Sequence, residues 1–196
     1  MKKILFVSLL LLMPVTMSAQ EKKDCCKKAA NPVVETIMSR TSIRKFKTDT
    51  ICPEMIETML RAGMAAPTAM NRQPWHFVVV TNRQKLEEMG GRAKQAPLAI
   101  VVCGDFTKTI EGPIGKEFWI QDCSAATENI LLAAHSLGLG AVWTSSWPNE
   151  ERSKNYGKLL GLPDTLMPLC VVAVGFPDES PEPKDKWKPE NITFVK

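Results

Sequence analysis

The chain has 196 residues, of which 44% are hydrophobic and 23% are charged, and its formal net charge is +4 at pH 7. This composition excludes an intrinsically disordered chain, and so small a net charge gives no general case for nucleic-acid binding. The length suits one domain with its own hydrophobic core.

The N-terminus has the pattern of a secretory signal peptide. Two lysines precede an apolar run over residues 4–13, and small residues follow at Ser18-Ala19. The run is too short to span a bilayer comfortably, so we expect no stable membrane anchor. A buried N-terminal helix is the alternative interpretation. The expected organisation is a signal peptide over residues 1–19, a flexible leader over 20–30 and a folded domain over 31–196, exported to the periplasm.

Six cysteines in an exported chain raise the question of disulfide bonds. Cys103, Cys123 and Cys170 each lie within an apolar run, where a free cysteine behaves as a small hydrophobe. Cys25-Cys26 lies in the charged leader, where the pair is either a metal or thiol-exchange site or part of a disordered tether. The two histidines do not have zinc-ligand spacing, so we predict no metal site.

Apolar spacing and turn residues predict the elements in chain order. A first helix begins at Asn31-Pro32 and ends at Ser39-Arg40, with an apolar face formed by Val33, Val34, Ile37 and Met38. A second helix begins at Pro53 and has a methionine-rich face that we interpret as core. Two more short helices are predicted over residues 82–90 and 149–160, and buried strands over 75–81, 98–103, 141–144 and 169–176.

The longest predicted helix carries apolar residues at steps of four and three from Trp119 to Leu137. We place it at the centre of the fold, with Gly138 as its C-terminal cap. The predicted fold is therefore α+β, with a mixed sheet packed on helices around this long central helix. The proline-rich tail ends in a strand-like stretch at residues 192–195, for which we expect a second copy of the chain to supply the partner strand.

Residues 40–44 read Arg-Thr-Ser-Ile-Arg and bring two guanidinium groups and two hydroxyls together. Such a cluster of donors suits a phosphate. The alternative is a solvated basic helix end that pairs with Glu35 or with the helix dipole. Lys184 and Lys186 in the tail are a second candidate phosphate contact, although a charge run of this kind is usually solvated.

A second motif, over residues 66–75, is a polar turn that leads into an aromatic and apolar strand. Its amide and backbone groups can lie along the edge of a flat ring system. A phosphate clamp together with such an edge is what FMN needs. The pair Gly138 and Gly140 lacks the third glycine of a dinucleotide fingerprint, and the sequence has no phosphate-loop lysine motif and no nucleophile elbow.

Four ordered motifs resemble the nitroreductase family of FMN-dependent oxidoreductases over about residues 31–196. They are Arg40-x-Ser42-x-Arg44, the stretch over residues 67–77, the segment over residues 138–143 and Lys184-x-Lys186. The resemblance implies an α+β homodimer that binds FMN at the subunit interface and exchanges its C-terminal arm. The sequence departs from the family pattern at Thr41 and Lys186, since arginine is common at both positions in the family.

The same resemblance assigns the FMN-binding residues by motif. It implies that Arg40, Ser42 and Arg44 contact the phosphate and ribityl chain, with Thr41 nearby, and that Lys184 and Lys186 close on the phosphate. It also implies that the ring is lined by Pro67, Thr68, Ala69 and Asn71 of the partner subunit, and by backbone groups of Thr144, Ser145 and Ser146.

The mechanism that the resemblance implies is ping-pong. NADH or NADPH delivers hydride to the flavin and leaves, and a small acceptor such as a nitroaromatic, quinone or enone then takes the electrons. No side-chain acid or base is required, so we name no catalytic residue. Export conflicts with a nicotinamide donor, because free NAD(P)H is not expected outside the cytoplasm. Two alternatives stay open: an exported flavin-binding electron-transfer module without NAD(P)H turnover, and a structural or interaction protein tethered through Cys25-Cys26.

Overall fold

A computed structural model describes residues 31–112 and 115–196. The predictions for the signal peptide, the leader and Cys25-Cys26 lie outside these residues. No helix in the described part is long and apolar enough to cross a membrane. The helices are α1 (Pro32–Ser39), α2 (Pro53–Met64), α3 (Arg83–Met89), α4 (Gly115–Ser136) and α5 (Glu150–Leu159), and the strands are β1 (Trp75–Val80), β2 (Leu98–Asp105), β3 (Gly140–Ser145) and β4 (Leu166–Gly175).

The four strands form one sheet in the order β1-β2-β4-β3, and all three neighbouring pairs are antiparallel. The central strands β2 and β4 are buried on both faces. Ile100 and Val102 contribute to the core on one side, whereas Val101 and Cys103 contribute to the core on the other. Burial of both faces explains why these strands read as continuous apolar runs in the sequence.

Helix α4 packs on one face of the sheet together with α2, and α3 and α5 cover the other face. Trp119, Cys123, Ala126 and Ile130 of α4 are all buried. The α+β class and the long central helix are therefore confirmed.

The expected mixed sheet needs a correction, because the only parallel pairing among the described residues is a single bridge between Ser42 and Ala141. The reason lies in α5, which connects the neighbouring strands β3 and β4. A helix between two strands can form a parallel crossover, but α5 returns the chain at the same end of the sheet that it left. The strands that it joins are therefore antiparallel.

Cys103, Cys123 and Cys170 are buried and free, as the apolar runs around them predicted. Burial raises the pKa of the Cys103 and Cys170 thiols to about 12 and also raises the pKa of Cys123. These thiols are therefore protonated at neutral pH and behave as core side chains.

Two apolar segments are exposed in the single chain. All four apolar residues of the α1 face are at least half exposed, including Ile37 at 50% and Met38 at 71%. At the other terminus, Phe194 is 79% and Val195 is 96% exposed, and residues 192–195 pair with no strand of the described chain. Pairing of this stretch with a second copy stays a prediction.

Candidate functional site

The basic motif lies immediately after α1, and we call residues 40–44 the clamp segment. It runs along the outer edge of β3, where Ser42 forms the parallel bridge with Ala141 and the Ile43 N–H donates to the Ala141 carbonyl at 3.1 Å. These contacts cover the start of an edge strand that would otherwise expose unpaired backbone groups. Edge pairing therefore fixes the clamp segment to the sheet.

Two glycines in adjacent strands let the chain around the clamp segment lie flat against the sheet. Gly140 of β3 and Gly175 of β4 are direct cross-strand partners. A Cβ at Gly140 would lie 2.6 Å from Cγ2 of Ile43, and a Cβ at Gly175 would lie 2.9 Å from Cβ of Phe46. No larger residue leaves room for Ile43 and Phe46 here, so the glycine pair sets the depth at which this part of the chain packs.

Helix α4 holds the start of the clamp segment. Arg40 Nε lies 3.3 Å from Glu128 Oε1 in an ion pair. The Ser39 hydroxyl donates its single hydrogen to the Glu35 carbonyl at 2.7 Å, so it must accept from His135 Nε2, which lies 2.8 Å away. Glu128 and His135 are two turns apart on one face of α4. The alternative interpretation had the arginines pair with Glu35, but the acidic partner of Arg40 is Glu128.

The tail, residues 176–196, returns to the same place. The Lys47 N–H donates to Phe176 O at 2.9 Å and the Asp178 N–H donates to Lys45 O at 3.0 Å, so the start of the tail pairs with the chain just after the clamp segment. The result is an open cleft, which we call the cationic pocket. Its lining residues are Arg40, Thr41, Ser42, Arg44, Pro181, Glu182, Lys184 and Lys186.

The cationic pocket brings together all six residues that the sequence assigned to a phosphate, from opposite ends of the domain. Four cations and two hydroxyls face a single lining carboxylate, Glu182. Guanidinium, ammonium and hydroxyl groups are the donors that phosphate oxygens accept, so the chemistry of the donor set fits a phosphate group.

The ring-side residues that were predicted to come from the partner subunit lie in the 67–73 loop between α2 and β1, and none of them lines the cationic pocket. The Ala69 N–H donates to Asp122 Oδ1 of α4 at 2.9 Å, and the Gln73 N–H donates to Thr68 Oγ1 at 3.1 Å. Met70, Asn71 and Gln73 all have positive φ, between 51° and 53°. Left-handed backbone at three non-glycine residues is strained, so the contacts to Thr68 and Asp122 must hold this loop in its shape.

Asp122 is 6% exposed, and burial raises the pKa of its carboxyl group, although the hydrogen bond from Ala69 opposes this. The carboxylate therefore supports the 67–73 loop at a cost in desolvation.

The last predicted group lies at the end of β3. Thr144 is half-buried, Ser145 is exposed and Ser146 is buried. The Ser146 hydroxyl donates to Pro168 O, its N–H donates to Leu169 O, and its carbonyl accepts from the Asn149 N–H. These hydrogen bonds fix Ser146 at the end of β3. The predicted role of Thr144, Ser145 and Ser146 along the ring stays a prediction.

Four supporting residues were not predicted from the sequence: Asp122, Glu128, His135 and Glu179. The Glu179 carboxylate accepts from the Arg44 and Lys45 N–H groups. A carboxylate directly beside the apolar residues of the central helix was a usable signal for Asp122. Nothing in the sequence marked the other three, because their partners lie far away in the chain.

The sequence and the fold are similar to those of known proteins. The nitroreductase family model matches residues 37–102 and 90–176, and the chain belongs to this family. A candidate NADH dehydrogenase/NAD(P)H nitroreductase of Methanothermobacter thermautotrophicus is 44% identical over 170 residues, with 84% of this chain and 87% of that protein covered.

Solved structures extend the likeness to three dimensions. The crystal structure of a candidate NADH dehydrogenase/NAD(P)H nitroreductase from Parabacteroides distasonis is 43% identical with a TM-score of 0.78, over 84% of this chain and 98% of that one. A candidate nitroreductase in complex with FMN from Desulfovibrio desulfuricans is 26% identical with a TM-score of 0.75, over 86% of this chain and 99% of that one.

Proposed function

We propose that this protein is an FMN-dependent oxidoreductase that takes electrons from NADH or NADPH and passes them to a small acceptor. The observation that carries the proposal is the cationic pocket, where Arg40 and Arg44 meet Lys184 and Lys186 from the other end of the domain. This donor set matches the phosphate of FMN. The relatives named for NAD(P)H nitroreductase and for bound FMN support the same cofactor and donor.

In this proposal the clamp segment, Lys184 and Lys186 bind the phosphate, and the hydroxyls of Thr41 and Ser42 donate to the phosphate or the ribityl chain. When bound, FMN supplies the hydride chemistry itself. The residues of the chain bind and orient it, and no side-chain acid or base is assigned. Because donor and acceptor would use one site in turn, we expect ping-pong kinetics, with nitroaromatics, quinones or enones as acceptors.

We further infer that the protein works as a homodimer with exchanged C-terminal arms. The exposed apolar residues Ile37, Met38, Phe194 and Val195 support this, since a second copy would bury them. The separation of the 67–73 loop from the cationic pocket within one chain supports it too, because a partner's loop would supply Pro67, Thr68, Ala69 and Asn71 to the ring. Sedimentation equilibrium of the purified protein tests the assembly, and a monomer at micromolar concentration would contradict it.

The signal-peptide pattern supports a periplasmic location, which we keep as a proposal. N-terminal sequencing of the protein recovered from cells tests it, since export predicts a mature chain that starts near Gln20. Such a location favours the second candidate function, an exported flavin-binding electron-transfer module without NAD(P)H turnover. Family membership supports either of these over the structural or interaction protein that the sequence left open.

One experiment separates the two flavin-based functions. The absorption spectrum of the purified protein, loaded with FMN, is recorded before and after anaerobic addition of NADH or NADPH. We expect a flavin spectrum that bleaches. A bound flavin that stays oxidised would support the electron-transfer module instead, and failure to bind added FMN would contradict both.

A further inference from the structure

The tail is attached to the domain through a short stretch of chain. Phe176 and Asp178 pair with Lys47 and Lys45 through main-chain hydrogen bonds of 2.9 and 3.0 Å. Residues 180–196 are all exposed, and their only regular element is a 3₁₀ turn at Pro189–Asn191. Lys184 and Lys186 nevertheless line the cationic pocket, so some contact must direct this part of the tail towards the clamp segment.

Glu179 makes that contact. Its Oε1 accepts a hydrogen bond from the Arg44 N–H and a second, at 3.1 Å, from the Lys45 N–H. Beyond Asp178, these are the only hydrogen bonds that join the tail to the rest of the described chain. One carboxylate thus ties the last residue of the clamp segment to the tail, 135 positions away in the sequence.

We propose that Glu179 is a positioning residue that closes the cationic pocket, by joining the two segments whose cations bind the phosphate of FMN. This inference rests on the proposed function. If the hydrogen bonds to Glu179 are lost, the tail and the clamp segment are free to separate, and the two segments must come together again before FMN can bind. The apparent affinity for FMN then falls by the fraction of molecules in which the pocket is assembled.

The sign of the effect makes this inference testable. A carboxylate near a phosphate site repels the phosphate, so removal of a negative charge alone should strengthen FMN binding. Glu182 is the matched control, because it lines the pocket three residues further along the tail and forms no hydrogen bond or ion pair with the described residues. Replacement of Glu182 should tighten FMN binding, whereas replacement of Glu179 should weaken it.

The pKa of Glu179 is lowered, chiefly by the hydrogen bond from the Arg44 backbone, with Lys45 and the Arg44 charge adding to this. The charged groups that act on it are Arg44 and Lys45 of the opposing segment. On its own tail, Asp178 precedes it in the chain, and Glu182, Lys184 and Lys186 follow. The carboxylate is therefore ionised over the neutral range and acts as a permanent acceptor there.

The experiment compares Glu179→Ala, Glu179→Gln and Glu182→Ala in the FMN-free protein, with folding checked by circular dichroism. FMN affinity is measured by quenching of flavin fluorescence, and the exchange rates of the Arg44 and Lys45 amide hydrogens are measured by NMR without any cofactor. We expect Glu179→Ala to weaken FMN binding roughly tenfold, as for a pocket assembled a tenth of the time. It should also speed exchange of both amides. Glu179→Gln, which keeps an oxygen acceptor, should lie between wild type and Glu179→Ala.

Affinity changes of the same sign in Glu179→Ala and Glu182→Ala would overturn the proposal, and so would unchanged exchange at Arg44 and Lys45. Failure of the proposed function looks different. In that case wild type itself does not bind FMN, or Arg44→Ala binds it as tightly as wild type, while the amide exchange still reports the contact of Glu179.

Discussion

The cationic pocket and the 67–73 loop are held in place by opposite means. The pocket depends on main-chain pairing at the sheet edge and on Ile43 and Phe46 packed over glycines. Its charged groups other than Arg40 are exposed. The loop belongs to no strand and depends on one buried acceptor, Asp122, which holds a strained backbone. The stability of the FMN-free protein should therefore tolerate changes of the exposed pocket side chains, but not changes in the packing of Ile43 and Phe46 over the glycines. The loop should be sensitive to a single buried group.

The strongest test of this comparison is Gly140→Ala. Its methyl group would lie 2.6 Å from Ile43, so the clamp segment must move off β3. We expect FMN binding to be lost and the free energy of unfolding to fall by on the order of 1–3 kcal/mol, as for other overpacked sites. Fluorescence titration with FMN and urea denaturation measure the two effects.

Gly157→Ala in α5 is the control for that variant. Gly157 is also buried, but a Cβ there meets no atom within 4 Å. Alanine favours a helix by about 1 kcal/mol over glycine, so this variant should be at least as stable as wild type. Unchanged FMN binding in Gly140→Ala would show that FMN binding does not depend on how closely the clamp segment packs on β3.

A smaller effect is expected at Arg44, which is exposed and whose guanidinium donates only to the Ser42 carbonyl, at 3.2 Å, within the described chain. Loss of one charge-assisted hydrogen bond to a phosphate should weaken FMN binding about tenfold or more. The melting temperature of the FMN-free protein should hardly change. Arg61→Ala is the control, since Arg61 forms an exposed pair with Glu57 on α2. Equal FMN affinity in both variants would show that FMN does not bind in the cationic pocket.

The contrast between pocket and loop also explains how much the sequence could predict. The helix starts at Pro32 and Pro53 were correct because proline at the first turn is a local signal. The strands were located within three residues because β2 and β4 are buried on both faces. The mixed sheet was not confirmed, because the described strands all pair antiparallel. Nothing local in the sequence tells whether α5 crosses the sheet or returns at the same end.

The six residues of the cationic pocket were predictable because each lies within a short, charged motif. The residues that hold them were not. Glu179 accepts from an amide 135 positions away, and Glu128 of α4 pairs with Arg40. Such contacts depend on the tertiary fold, and a single sequence carries no local pattern for them.

Two substitutions of Asp122, to alanine and to asparagine, should distinguish the effect of losing the hydrogen-bond acceptor from the effect of losing the charge. Asp122→Ala leaves the Ala69 N–H without its acceptor, and we expect a loss of about 1–3 kcal/mol in the free energy of unfolding. Asp122→Asn keeps an oxygen at this position and removes the cost of burying a charge. It should therefore be as stable as wild type or more so at pH 7, as measured by urea denaturation. Equal losses in both variants would mean that the charge itself supports the loop.

The pH dependence of the free energy of unfolding, compared between wild type and Asp122→Asn, tests whether burial of the charge is costly. Burial raises the pKa of Asp122 above its unfolded value, so the folded state binds the proton more tightly than the unfolded state. The contribution of this group to stability is then largest at low pH and falls as the pH rises through the raised pKa. Wild type should lose stability relative to Asp122→Asn from about pH 4 upward. A difference that is constant with pH would contradict the raised pKa.

The smallest effect is expected from the strain in the loop itself. Met70 is 76% exposed and has φ of 52°, a conformation that asparagine adopts more readily than methionine. Met70→Asn should therefore raise the free energy of unfolding by less than about 1 kcal/mol. Because the residue is on the surface and outside the cationic pocket, the affinity for inorganic phosphate should not change. If Met70→Asn instead destabilises the protein, the exposed methionine side chain contributes more to the loop than its backbone costs. The 67–73 loop would then be held by surface packing as well as by Asp122.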